Sequence, residues 1–219
     1  MSSIIERIAE RYADEIAGLP SLGTLTSFLL ISTAAHVIEQ DSLKWLPPIH
    51  ILFGIEFSKF FDASDGVITK TTVGALTISA FATFLVRITY SKFNSSVFLR
   101  LSKTKIISAY VESANKAAIS TGITNSAIDE NCTTFLSQEL SLQRKTFQRI
   151  HGSALVAFTI ALMSLASIYD LRSFISLCAS LTCLVWLEYL AIRHYLTKLF
   201  PALCVVWATK GKSAQLGTE

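Results

Sequence analysis

Glu188 is the ionisable side chain of this sequence that most needs a chemical explanation, because it lies inside an apolar stretch, Ser173–Ile192. A carboxylate among apolar groups must be neutral or paired, so such a residue is by default a candidate functional group. Tyr189 and Arg193 stand close to it in the sequence. Two interpretations are open. Glu188 snorkels or pairs with a neighbour, or it makes a polar contact between subunits or lines a narrow ion path.

The histidines are the other candidate ligand-binding residues, and they stand near the ends of apolar stretches or in an amphipathic one. They are His36, His50, His151 and His194. We expect each to be a hydrogen-bonded residue of the membrane interface. His36 and His50 could meet Glu39 and Glu56, but this set lacks the spacing of a known metal site. The sequence therefore predicts no metal centre.

Motifs that identify common enzyme classes are absent from the sequence. It contains no H-E-x-x-H, no glycine-rich phosphate loop, no G-x-S-x-G and no dinucleotide-binding fingerprint. The cysteines are Cys132, Cys178, Cys183 and Cys204. They form no C-x-x-C pair, which argues against a zinc site or a disulfide framework. We expect a non-enzymatic protein with no cofactor.

Four apolar segments are each about as long as a helix must be to cross a bilayer. They are Leu19–Ile38, Gly66–Val86, Gly152–Tyr169 and Ser173–Ile192. Hydrophobic residues make up 51% of the chain and charged residues only 16%, against about 25% charged residues in soluble domains. The composition therefore predicts that lipid surrounds a large part of the chain.

Lysine and arginine are distributed unevenly around these segments. Arg87–Ile150, between the second and third spans, carries nine of the 19 basic residues. With both termini in the cytosol, 15 basic residues lie inside and 4 outside, which satisfies the positive-inside rule. We therefore expect a multi-pass protein of the bacterial inner membrane with cytosolic termini. The net charge of +3 is too small to favour direct binding of nucleic acid.

Two further segments have the pattern of helices that lie on a membrane surface. Residues 1–18 combine six charged side chains with isoleucines at helical spacing, which predicts an amphipathic helix on the bilayer or packed on its own protein. Residues 43–61 are mostly apolar but contain Lys44, Glu56 and Lys59. We expect an interfacial helix on the outer side. A fifth span is the alternative, and it would move the N-terminus outside.

The segment between spans two and three has the pattern of packed helices. Ser126-x-x-Asp129 resembles a capping box, and no Gly or Pro interrupts Ser126–His151. The third span is therefore predicted to begin as a cytosolic helix and to enter the membrane without a break. The corner Gly122–Cys132 is farthest from the membrane, so we expect Thr124, Asn125 and Asp129 to contact a partner protein.

Small residues recur along the third span. The row consists of Ser153, Ala157, Ala161 and Ser164. Small side chains let helices approach closely where lipid provides no hydrophobic drive for association. The row could pack helices within one bundle, or it could form the contact between subunits. We assign it to the interface of a homo-oligomer, because four short spans make a thin bundle.

Together these patterns predict an all-α, multi-pass transmembrane helical bundle of four spans with a helical cytosolic insert between spans two and three. The expected parts are an N-terminal amphipathic helix (1–18), a first transmembrane pair with the outer interfacial helix (19–92), the insert (93–150), a second transmembrane hairpin with an interfacial tail (151–209) and a flexible tail (210–219).

In size and organisation the chain resembles small bacterial four-span membrane subunits, including those of phage-defence systems such as Kiwa and of toxin-immunity pairs. The resemblance covers the number of spans and the position of the insert, and it implies a role in antiviral defence or toxin immunity. We expect a homo-oligomeric scaffold, sensor or effector subunit that docks a soluble cytosolic protein through its cytosolic helices. The alternatives are an ion channel or pore formed by the oligomer, and a small transporter or membrane-embedded enzyme.

Overall fold

The computed structural model describes residues 12, 15, 16, 22–41, 70–102, 130–168 and 171–203. Within these ranges every regular element is helical. The helices are α1 (Leu22–Asp41), α2 (Val73–Ser102), α3 (Glu130–Ala166) and α4 (Leu171–His194), with a π-helical turn at Tyr195–Leu199. By length and composition, four helices in the described ranges can cross a membrane. The predicted all-α fold with four potential spans is confirmed.

Several predicted features lie outside the described residues. They are the interfacial helix at 43–61 with His50 and Glu56, the docking residues Thr124, Asn125 and Asp129, the tail at 210–219 and most of the N-terminal helix. These features stay predictions.

Helix α3 is a single element of 37 residues, about 55 Å long. The helix runs without a break through this range, as predicted, and where it enters the membrane stays a prediction. The helix continues through Gly152 although glycine disfavours helix interiors by about 1 kcal/mol relative to alanine. Packing against α1 gives the reason for a glycine at this position.

Gly152 forms the closest approach between α1 and α3. A Cβ atom placed on Gly23 would overlap the carbonyl group and the Cα atom of Gly152. One turn further along α1 and two turns further along α3, the hydroxyl of Thr159 donates to Ser27 Oγ at 2.9 Å. Both contacts require small side chains on the two facing helices, and they allow the backbones to approach closely.

Hydroxyl groups within the helices bond to the backbone of their own helix. Thr33 Oγ1 donates to the carbonyl of Leu29 at 2.7 Å, and the exposed Thr182 donates to Cys178 at 2.8 Å. In lipid, a polar group must find its partner within the protein. These bonds therefore allow hydroxyl side chains on surfaces that would face acyl chains.

The start of α2 is capped by its own sequence and by α1. Thr72 Oγ1 accepts a hydrogen bond from the Ala75 N–H at 3.2 Å, the usual bond of an N-cap threonine. The same hydroxyl donates to Glu39 Oε1 at 2.6 Å. Next to it, Thr71 Oγ1 lies 3.2 Å from Nδ1 of His36. The C-terminal part of α1 is thus joined to the start of α2.

Helical structure continues past α4 through the π-helical turn to Leu203. In this turn the N–H of Phe200 bonds to the carbonyl of Tyr195, five residues earlier. Pro201 follows directly, and proline has no N–H and crowds the carbonyl four residues before it. The wider turn accommodates the proline without ending the helix.

The chain divides into two compact units. The span unit consists of Pro20–Tyr90 and His151–Glu188, and the terminal unit consists of Met1–Leu19, Ser91–Ile150 and Tyr189–Glu219. In the span unit, Ala34 and Val37 of α1 form a buried apolar cluster with Met163 of α3. Both units therefore draw on residues that are far apart in the sequence.

An aromatic cluster forms the core of the terminal unit. Tyr12 is fully buried and stacks on Phe98, with ring centroids 4.2 Å apart. It also makes edge-to-face contacts with Phe147 at 5.5 Å and with Tyr195 at 5.0 Å. Such aromatic pairs are worth about 0.5–1.5 kcal/mol beyond the area that they bury. The cluster therefore attaches the N-terminal segment to three helices.

Candidate functional site

The candidate site consists of Tyr90, His151 and Glu188, and we call these residues the buried trio. They belong to α2, α3 and α4, respectively, and all three are part of the span unit. Their exposed fractions are 2% for Tyr90, 2% for His151 and 6% for Glu188. Three polar side chains from three helices thus meet at one point that is closed to the surroundings.

The tyrosine hydroxyl connects the other two groups. It donates a hydrogen bond to Glu188 Oε1 at 2.7 Å and lies 2.8 Å from Nδ1 of His151. A phenol has one proton to donate. With that proton directed at the carboxylate, the oxygen of Tyr90 accepts from the Nδ1–H of His151. The result is a continuous chain of hydrogen bonds from α3 through α2 to α4.

The helices bring these residues inward because of their spacing. On α2, Ser79, Thr83 and Tyr90 are all buried, and the intervals of four and seven residues place them on one face of the helix. On α4, Leu184 and Glu188 are buried at the same spacing, whereas Tyr189 is 55% exposed. A residue next to Glu188 in sequence therefore points away from the buried trio.

Aromatic rings line the tyrosine. The Tyr90 and Phe158 ring centroids are 5.7 Å apart, and the Tyr90 and His151 centroids are 6.1 Å apart in an edge-to-face arrangement. Apolar rings lower the local dielectric, which strengthens a hydrogen bond and raises the cost of leaving a charge unpaired. The surroundings therefore favour states in which the net charge of the trio is zero.

The structure gives Glu188 a partner different from those that its sequence neighbourhood suggested. Its carboxylate accepts a hydrogen bond from Tyr90, on another helix. Sequence reasoning did not connect Tyr90 or His151 with Glu188. One feature of the sequence could have connected them. All three residues stand close to the cytosolic ends predicted for their spans. Residues at the same depth in a small bundle are candidates for contact, but the rotation of each helix decides which of them meet.

Part of the predicted row of small residues is buried within a single chain. Ala157, Ala161 and Ser164 are buried, and Ser153 is exposed. Ser164 Oγ donates to Ser176 Oγ of α4 at 3.2 Å. Most of the row thus contributes to packing within one chain, and Ser153 is the member of the row that is exposed at the surface of a single chain.

Two of the residues considered as metal ligands, His36 and Glu39, make other bonds. His36 faces Thr71, and Glu39 accepts from Thr72. Across the described ranges, no group of three or more His, Cys, Asp or Glu residues is arranged to hold a metal ion. Cys178 and Cys183 are free and exposed on α4.

Comparisons with known proteins add no functional assignment. No family model matches the chain, and neither a curated protein nor a solved structure does.

Proposed function

We propose that the chain is a non-enzymatic multi-pass membrane scaffold, sensor or effector subunit that docks a soluble cytosolic protein. The observation that carries the proposal is the length of α3. Its 37 residues extend about 55 Å, whereas the hydrocarbon core of a bilayer is about 30 Å thick. A helix of this length reaches well beyond the membrane and can present a folded surface to a partner.

The terminal unit has the internal contacts of a folded element rather than of a linker. Besides the aromatic cluster, Arg144 binds Glu15 through both Nε, at 3.0 Å, and an outer guanidinium nitrogen, at 2.6 Å. His194 Nε2 lies 3.2 Å from the carbonyl oxygen of Gln143. A surface supported in this way can keep its shape when a partner binds.

The distribution of basic residues supports a cytosolic position for the terminal unit. Its described basic residues are Lys92, Arg100, Arg144, Lys145, Arg149, Arg193 and Lys198. The described basic residues of the span unit are Lys70, Arg87 and Arg172. Under the positive-inside rule, the terminal unit and both chain ends lie in the cytosol of a bacterial cell. The resemblance to small defence and immunity subunits agrees with this proposal.

Capture of partners from cells that carry the native gene tests the docking proposal. We expect Thr124→Lys/Asn125→Lys to weaken capture at least several-fold without changing membrane insertion. Ser96→Lys/Ser141→Lys is the matched control, because it adds the same charge at other positions of the terminal unit. In the same way, Asp129→Ala is compared with Glu139→Ala, since each removes one carboxylate.

A replacement of residues 104–128 by a Gly/Ser linker completes the test, because it spares α2, α3 and the aromatic cluster. If this variant inserts normally and captures the same proteins at the wild-type level, the insert is not the docking element and the proposal fails.

A further inference from the structure

The buried trio contains two groups that can hold a proton, the carboxyl of Glu188 and the imidazole of His151, and one group that can pass it on. The hydroxyl of Tyr90 lies within 2.8 Å of Nδ1 and 2.7 Å of Oε1. Both distances are those of good hydrogen bonds. A chain of this kind can exist in two orders that differ in the positions of two protons and therefore in the direction of its hydrogen bonds.

In the first order, the Glu188 carboxylate accepts from Tyr90, and Tyr90 accepts from the Nδ1–H of a doubly protonated His151. In the second order, protonated Glu188 donates to Tyr90, and Tyr90 donates to Nδ1 of neutral His151. The exchange breaks the Nδ1–H bond of His151 and forms one to the tyrosine oxygen. The original proton of Tyr90 passes to Glu188. No atom enters or leaves, and the net charge is zero in both orders.

We propose that the buried trio is a proton-binding relay, in which Tyr90 passes a proton between His151 and Glu188. Gain or loss of a proton at this site changes the bonds that join α2, α3 and α4. The two neutral orders are favoured over any state with an isolated charge, because a buried charge without compensation is costly. Loss of one proton to water gives the trio a single negative charge, and this state is less favourable than the two neutral orders.

The charged residues nearest to the relay in sequence lie on the three helices that form it. On α2 these are Arg87, one turn before Tyr90, and Lys92, two residues after it and exposed, and on α4 the next is Arg193, which is exposed. On α3 the preceding charged residue is Arg149, also exposed. Helix α1, which meets α3 at Gly152, carries no ionisable side chain between Leu22 and Ala35.

Infrared difference spectroscopy of the full chain in lipid nanodiscs tests the relay. Spectra are recorded from about pH 4 to about pH 9, the range in which carboxyl and imidazole groups titrate in most proteins. We expect a protonated-carboxyl band whose intensity changes with pH and that is absent from Glu188→Gln. Tyr90→Phe, which removes the connecting hydroxyl, should shift the midpoint of that change by about one pH unit or more.

Tyr189→Phe is the matched control, because it removes a tyrosine hydroxyl next to Glu188 that points away from the trio. It should leave the midpoint unchanged. His151→Gln should shift the midpoint as Tyr90→Phe does, and His194→Gln should not.

A second measurement uses the wild-type chain and does not depend on folding of a variant. With isotope-labelled tyrosine, a tyrosine vibration should change with the same midpoint as the carboxyl band, because the two groups share a proton. The proposal is overturned if no pH-dependent band depends on Glu188. It is also overturned if the labelled tyrosine bands stay constant while the carboxyl band changes.

Discussion

A methyl group added at Gly23 would have no room, because the carbonyl of Gly152 occupies its place. We expect Gly23→Ala to force α1 away from α3 and to reduce the free energy of unfolding by about 1–3 kcal/mol, the usual effect of overpacking. Gly74→Ala is the control, since its Cβ would meet only Thr72 Oγ1 at 3.9 Å. Thermal unfolding in mild detergent measures both. Equal midpoints for the two variants would show that the close helix contact is not required.

Glu188 could be recognised from the sequence, whereas its partners could not. A carboxylate in an apolar stretch stands out because few residues of that kind are found there. Tyr90 and His151 are ordinary residues for the end of a span, and their meeting with Glu188 depends on how three helices are rotated. The spacing of residues along one helix determines which of them share a face. It does not determine which neighbouring helix packs against that face.

Among the elements, the N-terminal segment is held by the ion pair between Glu15 and Arg144 as well as by the aromatic cluster around Tyr12. Loss of the pair in Arg144→Gln should release the segment, because Glu15 would lose both hydrogen bonds from the guanidinium group. Surface ion pairs are worth about 0–1 kcal/mol, but the two guanidinium donors on one carboxylate oxygen and the part-buried position of Glu15 favour the upper end of that range. We expect faster hydrogen exchange and faster proteolytic cleavage near Tyr12.

Lys145→Gln is the control for this variant. Lys145 is the exposed neighbour of Arg144, and its substitution removes the same charge. Equal exchange rates in the two variants would mean that charge, and not the ion pair, controls the segment.

The continuity of α3 and the π-helical turn show how far local sequence determines an element. The absence of Gly and Pro from Ser126 to His151 predicted an unbroken helix, and the structure confirms it over Glu130–Ala166. Pro201 disfavours continuation of the last helix, since proline lacks an N–H and crowds the preceding turn. The structure instead has a widened turn at Tyr195–Leu199 and further helix to Leu203, because a buried aromatic cluster holds Tyr195 and Phe200 in place.

For the molecule as a whole, cytosolic termini can be tested by cysteine labelling. In a chain whose native cysteines are replaced, we expect Ser102→Cys and Gln215→Cys to resist a membrane-impermeant maleimide in intact cells. Lys70→Cys, which is exposed at the opposite end of α2, should react. Labelling of residue 102 or 215 from outside would contradict the orientation that the positive-inside rule predicts.

Homo-oligomer formation is a second prediction for the whole molecule. We expect Ser153→Leu to lower the assembly state in mild detergent while the midpoint of thermal unfolding stays close to that of the wild type, because Ser153 is exposed in a single chain. Ala157→Leu should lower the unfolding midpoint and the yield, since its added bulk enters a buried position. Light scattering gives the mass. A monomeric wild-type protein would refute the prediction.

The pairing of α1 with α3 has a consequence for biogenesis. Ser27 and Thr159, which bond to each other, are 132 residues apart in the sequence. At a translation rate of about 5–20 residues per second, roughly 7–26 s pass between the synthesis of the two residues. During that time α1 exists without its partner. The Thr26 and Thr33 hydroxyls of α1 bond to carbonyls of the same helix, so these two groups need no partner from α3.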